Sequence, residues 1–324
     1  MVDPLRRAIE LGESVRGTTS PNPWVGCVVD GGFEGATQPP GGPHAEVVAL
    51  RAAGDRARGA TMWVTLEPCA HHGRTPPCTD AIIDAGVARV VVGMTDPDAN
   101  VSGRGIAQLR AAGVDVDVVD DPDVAEQLAP YVKHRRTGRP WVVLKVASSL
   151  DGRTAAPDGT SQWITSAEAR LDAHRLRAIS DAVIVGAGTV RADDPSLTVR
   201  DADGTVTREP LRVVLGHAPP GARVHPCVEL AGDLGGIVDD LGRRGIVQAM
   251  VEGGPTVASD FHRRGLVDRY VAYVAPVLFG GDDARGWFSG PAAATIGDVW
   301  RGRIVSARTV GPDLRVEFEP CSPG

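Results

Sequence analysis

The chain of 324 residues carries 34 Lys and Arg against 41 Asp and Glu, a formal charge of −7, with 42% hydrophobic and 23% charged residues. These proportions exclude disordered and collagen-like classes, no apolar run approaches the roughly 18 residues of a membrane span, and the acidic balance disfavours nucleic acid as a partner. At roughly 150 residues per domain the length fits two domains, while five cysteines and 4% aromatics indicate neither a disulfide framework nor a base-stacking surface.

The start MVDPLRRAIELGESV has acidic residues where a signal peptide needs an apolar stretch, so a cytoplasmic protein is expected. The pattern then predicts a helix over about 3–15, a strand WVGCVVD at 24–30, a helix over 45–53 and the strand TMWVTL at 61–66. A helix over about 79–86 stops at Gly86, followed by the near-continuous apolar strand ARVVVGM, a helix over about 104–112, the strand VDVDVV and a helix around 121–136. Apolar strands alternating with helices are the grammar of an α/β fold with mostly parallel, buried strands. The basic, Pro/Gly-punctuated KHRRTGRP places a domain boundary near Gly138, giving domains over 1–138 and 139–324. The second half restarts with PWVVLKVASSLDG, then a helix over about 166–179, AVIVGAGTV as strand and turn, LRVVLG as strand and AMVEGG as strand and turn. Gly, Pro and Asp dominate residues 201–236, where no element besides LRVVLG is assigned.

Chemistry concentrates at His44-Ala45-Glu46, Pro68-Cys69 and Cys78. One His and two Cys leave the fourth position of a zinc tetrahedron for water, which marks an open, catalytic site. The order H-x-E then P-C is that of the zinc deaminases, in which the Glu is not a ligand but moves protons during attack of water on an amino-bearing ring carbon. Here eight residues, AHHGRTPP, separate the cysteines, so the generic short-spacer signature is matched in part. The competing reading is a closed zinc site with His71 or His72 as fourth ligand, or a scatter of buried thiols. Cys27, Cys227 and Cys321 read as ordinary core or surface residues. In the second half Gly186-Ala187-Gly188 is followed by TVRA, so the dinucleotide fingerprint fails at its third glycine. Gly253-Gly254-Pro255-Thr256 precedes an apparent helix whose free amides could hold an anion, and a plain strand-to-helix turn explains it equally well.

TSPNPWVG, GGPHAEVVAL and TLEPCAHHGRTPPC resemble the deaminase half of the bifunctional riboflavin-biosynthesis deaminase/reductase family, in which the long cysteine spacer is the usual form. KVASSLDGRTA, SQWITS, GAGTVRADDPSLTVR, VEGGPT and APVLFGG continue the resemblance in the family's order over nearly the whole chain. The resemblance implies a cytidine-deaminase-like three-layer α/β domain followed by a dihydrofolate-reductase-like α/β domain. It implies a diaminopyrimidinone ribosylamino phosphate as small-molecule substrate, hydrolysed at its ring amino group and then reduced by NADPH from ribosyl to ribityl. His44, Cys69 and Cys78 would hold zinc, Glu46 would shuttle protons, and Asn22, His71 and Arg74 would contact the substrate, the guanidinium fork suiting its phosphate. Ala147, Trp163, Thr189, Asp193 and the stretch opening Gly254, Pro255 and Thr256 would line the NADPH site, with Ser161, Arg177, Leu197, Arg200 and Glu252 on the substrate. Asp193 and Lys145 are the choices for a general acid on chemical grounds. A homo-oligomer is expected from the resemblance alone. Two departures stand out: Thr37 occupies a position where relatives often carry a substrate-facing His, and residues 201–236 are shorter than usual. The second departure motivates an alternative, a deaminase whose second domain is weakened or no longer reduces.

Overall fold

The computed structural model describes residues 3–71, 76–98 and 101–321, and the chain forms two compact units that divide between Arg139 and Pro140. In the first, α1 (Pro4–Val15), β1 (Gly26–Val29), β2 (Phe33–Ala36), α2 (Ala45–Ala53), β3 (Thr61–Leu66), α3 (Cys78–Asp84), β4 (Arg89–Met94), α4 (Arg104–Ala111), β5 (Asp115–Val118) and α5 (Pro122–Thr137) follow in order. The sheet order is β2-β1-β3-β4-β5. β3, β4 and β5 pair in parallel as the apolar runs predict, whereas β1 is antiparallel to both β2 and β3. β2 was not anticipated, because FEGA is short and carries no apolar run. Helix starts follow side-chain capping: Asp3 accepts from the Leu5 amide and Asp121 from Asp123 and Val124, each ahead of a proline in the first turn.

Glycine sets how closely two helices approach this sheet. A Cβ on Gly35 would lie 2.2 Å from the Ala45 carbonyl oxygen, so the start of α2 rests directly on β2. A Cβ on Gly105 would lie 2.0 Å from the Pro68 carbonyl oxygen, so the start of α4 presses on the segment leaving β3.

The second unit runs β6 (Trp141–Ser149), β7 (Arg153–Ala155), α6 (Ala167–Ala178), β8 (Ala182–Gly186), α7 (Ala187–Asp193), β9 (Val199–Arg200), β10 (Val206–Arg208), β11 (Leu211–Leu215) and β12 (Val228–Leu230). It continues with α8 (Leu234–Arg243), β13 (Gln248–Val251), α9 (Pro255–Arg263), β14 (Arg269–Ala275), β15 (Arg285–Gly286), β16 (Gly302–Val310) and β17 (Asp313–Pro320). Eight strands form one sheet in the order β12-β11-β8-β13-β6-β14-β17-β16, parallel from β12 to β14 and antiparallel beyond. The strand period of two sorts the core. Val142, Leu144 and Val146 of β6 pack with Leu241 of α8 and Phe261 of α9, while Val143 packs with Ala173 and Leu176 of α6 on the other face. Each unit is thus an α/β layer structure. Within residues 201–236 the structure builds the expected strand β11 and, beside it, β10, β12 and the first turn of α8, so the absence of a clear sequence pattern around LRVVLG did not mean an absence of order. GAGTV is likewise not a strand and turn throughout, since α7 begins at Ala187. Among the described residues no helix is long and apolar enough to cross a membrane.

Candidate active sites

His44 is the residue before the first turn of α2, Cys69 follows β3 and Cys78 opens α3. These elements bring the His44 Nδ1 to 3.6 Å from the Cys69 Sγ and 3.3 Å from the Cys78 Sγ, with all three donor atoms within 4.8 Å of one another. A tetrahedral zinc ion with its usual Zn–N and Zn–S lengths separates N and S by about 3.6 Å, so the residues present fit that ion. The Cys78 amide also donates to the Cys69 Sγ at 3.4 Å. Hydrogen bonds from the Cys78 thiol and His44 hold Cys69 down at about 4, and Cys78 in turn is pushed up. Glu46, in the first turn of α2, is buried against this pair, and burial with the Cys69 charge raises it to about 7.

His71 is exposed and is not among the converging donors, which disfavours the closed tetrahedron with that ligand. His72 and Arg74 lie outside the described residues. Asn22 is half-buried in a turn closed by its amide on the Thr19 carbonyl, 2.9 Å. Thr37 is buried, its Oγ1 accepting from the Val25 amide at 3.2 Å.

Glu67 was missed by sequence reasoning. Its Oε1 accepts from the amides of Gly105 and Ile106 at 2.9 and 3.2 Å, and its Oε2 from Gly103 and Asp96 at 2.9 and 3.2 Å. One buried carboxylate therefore ties the residue two before Cys69 to the start of α4, a helix end that favours negative charge. The available signal was an acid placed directly after an apolar strand.

In the second unit, Arg177 of α6 and Glu252 after β13 form a bidentate pair, Nε–Oε1 2.7 Å and Nη2–Oε2 2.9 Å, with side chains 12% and 10% exposed. The remaining guanidinium nitrogen donates to the Thr198 carbonyl. Burial alone would raise Glu252, but the charges of Arg177 and Lys145 prevail and hold it at about 2. Lys145 is itself lowered, chiefly by burial. Arg200 donates to Thr198 Oγ1 and Ser196 Oγ, each at 3.0 Å, and its amide donates to His174 Nδ1 at 3.1 Å. Leu197, buried between these segments, has φ of 52°. Lys145, Arg177 and Glu252 thus share one electrostatic neighbourhood, whereas Asp193, at the exposed end of α7, is raised by burial and opposed by Arg285.

The ends of parallel β8 and β13 form the adjoining turns. A Cβ on Gly186 would meet Val257 at 2.8 Å and one on Gly254 would meet the Thr189 Oγ1 at 3.0 Å, so α7 and the start of α9 converge. Gly253 and Gly254 take φ of 68° and 37°, and Pro255 and Thr256 begin α9. Carboxyl ends of parallel strands are where open α/β sheets build ligand sites. Ser161 and Trp163 line a cleft of about 260 Å³ with Leu278 and Phe279. The Trp163 ring is 69% exposed with the Arg170 guanidinium 4.4 Å above it, and Ala147 is half-buried on β6.

Residues 4–94 match the family described as the cytidine and deoxycytidylate deaminase zinc-binding region, and residues 140–316 match the RibD C-terminal domain. The riboflavin biosynthesis protein RibD of Escherichia coli is 43% identical, covering 96% of this chain and 96% of its own length. That of Mycobacterium tuberculosis is 45% identical over 95% of this chain and 94% of its own. Among solved structures, Acinetobacter baumannii RibD superposes with a TM-score of 0.91 at 38% identity, covering 98% of each chain. A diaminohydroxyphosphoribosylaminopyrimidine deaminase/5-amino-6-(5-phosphoribosylamino)uracil reductase from Thermotoga maritima superposes with 0.89 at 36% identity, again over 98% of each. With both family matches in order and near full-length likeness, the chain belongs to the RibD family of riboflavin biosynthesis proteins.

Proposed function

We infer that this chain is a bifunctional enzyme of riboflavin biosynthesis: residues 1–138 deaminate a diaminopyrimidinone ribosylamino 5′-phosphate, and residues 139–324 reduce its ribosyl group to ribityl with NADPH. The observation that carries the first step is the convergence of His44, Cys69 and Cys78 beside a buried Glu46. His44, Cys69 and Cys78 would hold a zinc ion, which would supply a water nucleophilic near neutral pH. Glu46, lying on α2 two residues beyond His44 and against the thiols, is placed to take a proton from the attacking water and would hand it to the departing amine. Asn22 would hold the pyrimidine edge, with His71 and Arg74 toward the ribose phosphate.

For the second step NADPH supplies hydride. The amides of Gly254 and Thr256 at the start of α9 suit a cofactor phosphate, with Pro255, Thr189, Asp193, Ala147 and Trp163 completing that side. Arg177 serves by fixing Glu252 as a permanently ionised acceptor for sugar hydroxyls, while Arg200, Ser161 and Leu197 face the substrate. Lys145, beside Glu252, is favoured over Asp193 as proton donor because it shares the neighbourhood of the substrate-facing pair. An Asp193→Asn enzyme with unchanged turnover would agree with that choice.

We place the enzyme in the cytoplasm, where its free cysteines suit a reducing compartment. We also expect a homo-oligomer, for which the apolar recess of about 320 Å³ lined by Tyr270, Trp287, Trp300 and Phe318 is a candidate contact. The decisive experiment follows ammonia release and NADPH absorbance separately in one sample of purified protein and substrate. Both signals support the two-step reading, ammonia alone indicates a second domain that does not reduce, and silence in a zinc-loaded sample removes the substrate assignment.

A further inference from the structure

A second convergence of metal-type donors lies far along the chain from the first. His225, Cys227 and Glu229 occupy alternate positions along the segment that leads into the edge strand β12. Their donor atoms all lie within 4.8 Å of one another. His225 Nδ1 stands 3.5 Å from Cys227 Sγ, close to the N–S edge of about 3.6 Å of a tetrahedral zinc site and to the spacings at His44.

The surroundings are those of an oriented ligand set. The other imidazole nitrogen, Nε2, is 3.1 Å from the Pro219 carbonyl, so it carries the proton and leaves Nδ1 with its lone pair toward the sulfur. Glu229 is held by the Ala218 amide at 3.0 Å and by His217 Nδ1 at 2.6 Å. Cys227 packs at the margin of an apolar cluster, which limits where its sulfur can go. Residues 217–219, just after β11, thus supply the outer contacts for both the nitrogen and the oxygen donor. An imidazole–thiol contact beside a His–Glu pair would account for each distance singly. It does not by itself account for the three donor atoms lying together while a carbonyl holds the far ring nitrogen of His225 and an amide holds one oxygen of Glu229.

We propose that His225, Cys227 and Glu229 form a second metal site, suited to a borderline divalent cation such as zinc, with His217 orienting Glu229. The donor set of one nitrogen, one thiolate and one carboxylate selects against magnesium and calcium, which take oxygen alone. A cation there would staple β12, held to β11 by one short parallel ladder, to the loop that precedes it. The same loop donates from the Arg223 amide to Asp194 at the end of α7, 2.8 Å, so the staple also steadies that helix end.

The test is zinc stoichiometry by elemental analysis of tag-free, full-length protein, loaded with zinc and dialysed against metal-free buffer. Two equivalents per chain are expected, falling to one in Cys227→Ser and in His225→Ala, with ammonia release unchanged because neither residue belongs to the deaminase site. Cys69→Ser should lose the other equivalent, and cobalt titration should give thiolate-to-metal absorption for the remaining site. A wild-type protein that takes up one equivalent at saturating zinc, or a Cys227→Ser variant that keeps two, overturns the proposal. The zinc stoichiometry and the cobalt spectrum do not depend on whether the substrate assignment is right.

Discussion

Replacing Glu67 by Gln keeps the shape of the side chain and removes half of its accepting capacity. Four amides converge on the carboxylate, two on each oxygen, at 2.9 to 3.2 Å. The amide oxygen of Gln can keep one pair. The other pair then faces an NH2 group in a site that is 3% exposed, with no acceptor. Leaving a buried donor unmade costs about 1–3 kcal/mol, so two cost about 2–6 kcal/mol, a large share of a domain's stability. At about 1.4 kcal/mol per tenfold, hydrogen exchange at Gly105 and Ile106, or at Asp96 and Gly103, depending on the orientation of the Gln, should accelerate roughly thirtyfold or more. Because Glu67 sets the path of the chain into Cys69, zinc affinity should fall roughly 10–100-fold, the usual effect of disturbing an outer partner of a ligand. Exchange faster by less than about threefold, together with unaltered zinc affinity, would refute this account of Glu67.

Three further perturbations separate the parts of the molecule. Glu46→Ala should retain zinc by elemental analysis yet lose ammonia release by roughly 10²–10⁴-fold, since the residue moves protons and binds no metal; substantial residual deamination would contradict that role. Arg177→Ala leaves Glu252 buried without its partner, a loss of about 3–5 kcal/mol for the second unit, and NADPH oxidation should fail while ammonia release continues; loss of both signals together would count against the assignment. Asp96 is raised to about 6, chiefly by burial, beside Tyr131 Oη at 3.3 Å. A carboxyl whose folded value lies above its ordinary one disfavours the native state as pH climbs from about 4 through 6 and above. Asp96→Asn should therefore raise the urea midpoint at pH 7 and flatten its dependence between pH 4 and 7, and an unchanged slope would exclude Asp96 as its source.

The parts of the fold that read clearly were those with a strong period or a continuous apolar run. TMWVTL and ARVVVGM became the central parallel strands β3 and β4, and the capping residues Asp3 and Asp121 marked their helices. β2 and β12 did not read, since each is short and takes its stability from neighbours rather than from its own pattern. The zinc triad and Glu46 were legible because metal chemistry restricts residue type and spacing together. Glu67 was not, because its partners are backbone amides 29 to 39 residues away, and any residue type can supply those. Arg177 and Glu252 were singled out one by one through the resemblance, but their mutual pairing depends on α6 and the end of β13 meeting across the second unit, which no local pattern encodes.

The way the two cysteines of the first site are anchored bears on how this enzyme could change its specificity. Cys69 is fixed from behind through Glu67, and Cys78 begins a helix whose Thr79 amide and hydroxyl reach the Cys69 carbonyl at 3.2 and 3.3 Å. The ends of the intervening eight residues are therefore clamped to each other independently of what lies between them. Lengthening a closed loop from two residues to eight costs only about 1.2 kcal/mol, two doublings. Chain length there is a nearly free variable, so insertions and deletions between the cysteines can be absorbed while the metal-binding geometry is inherited intact.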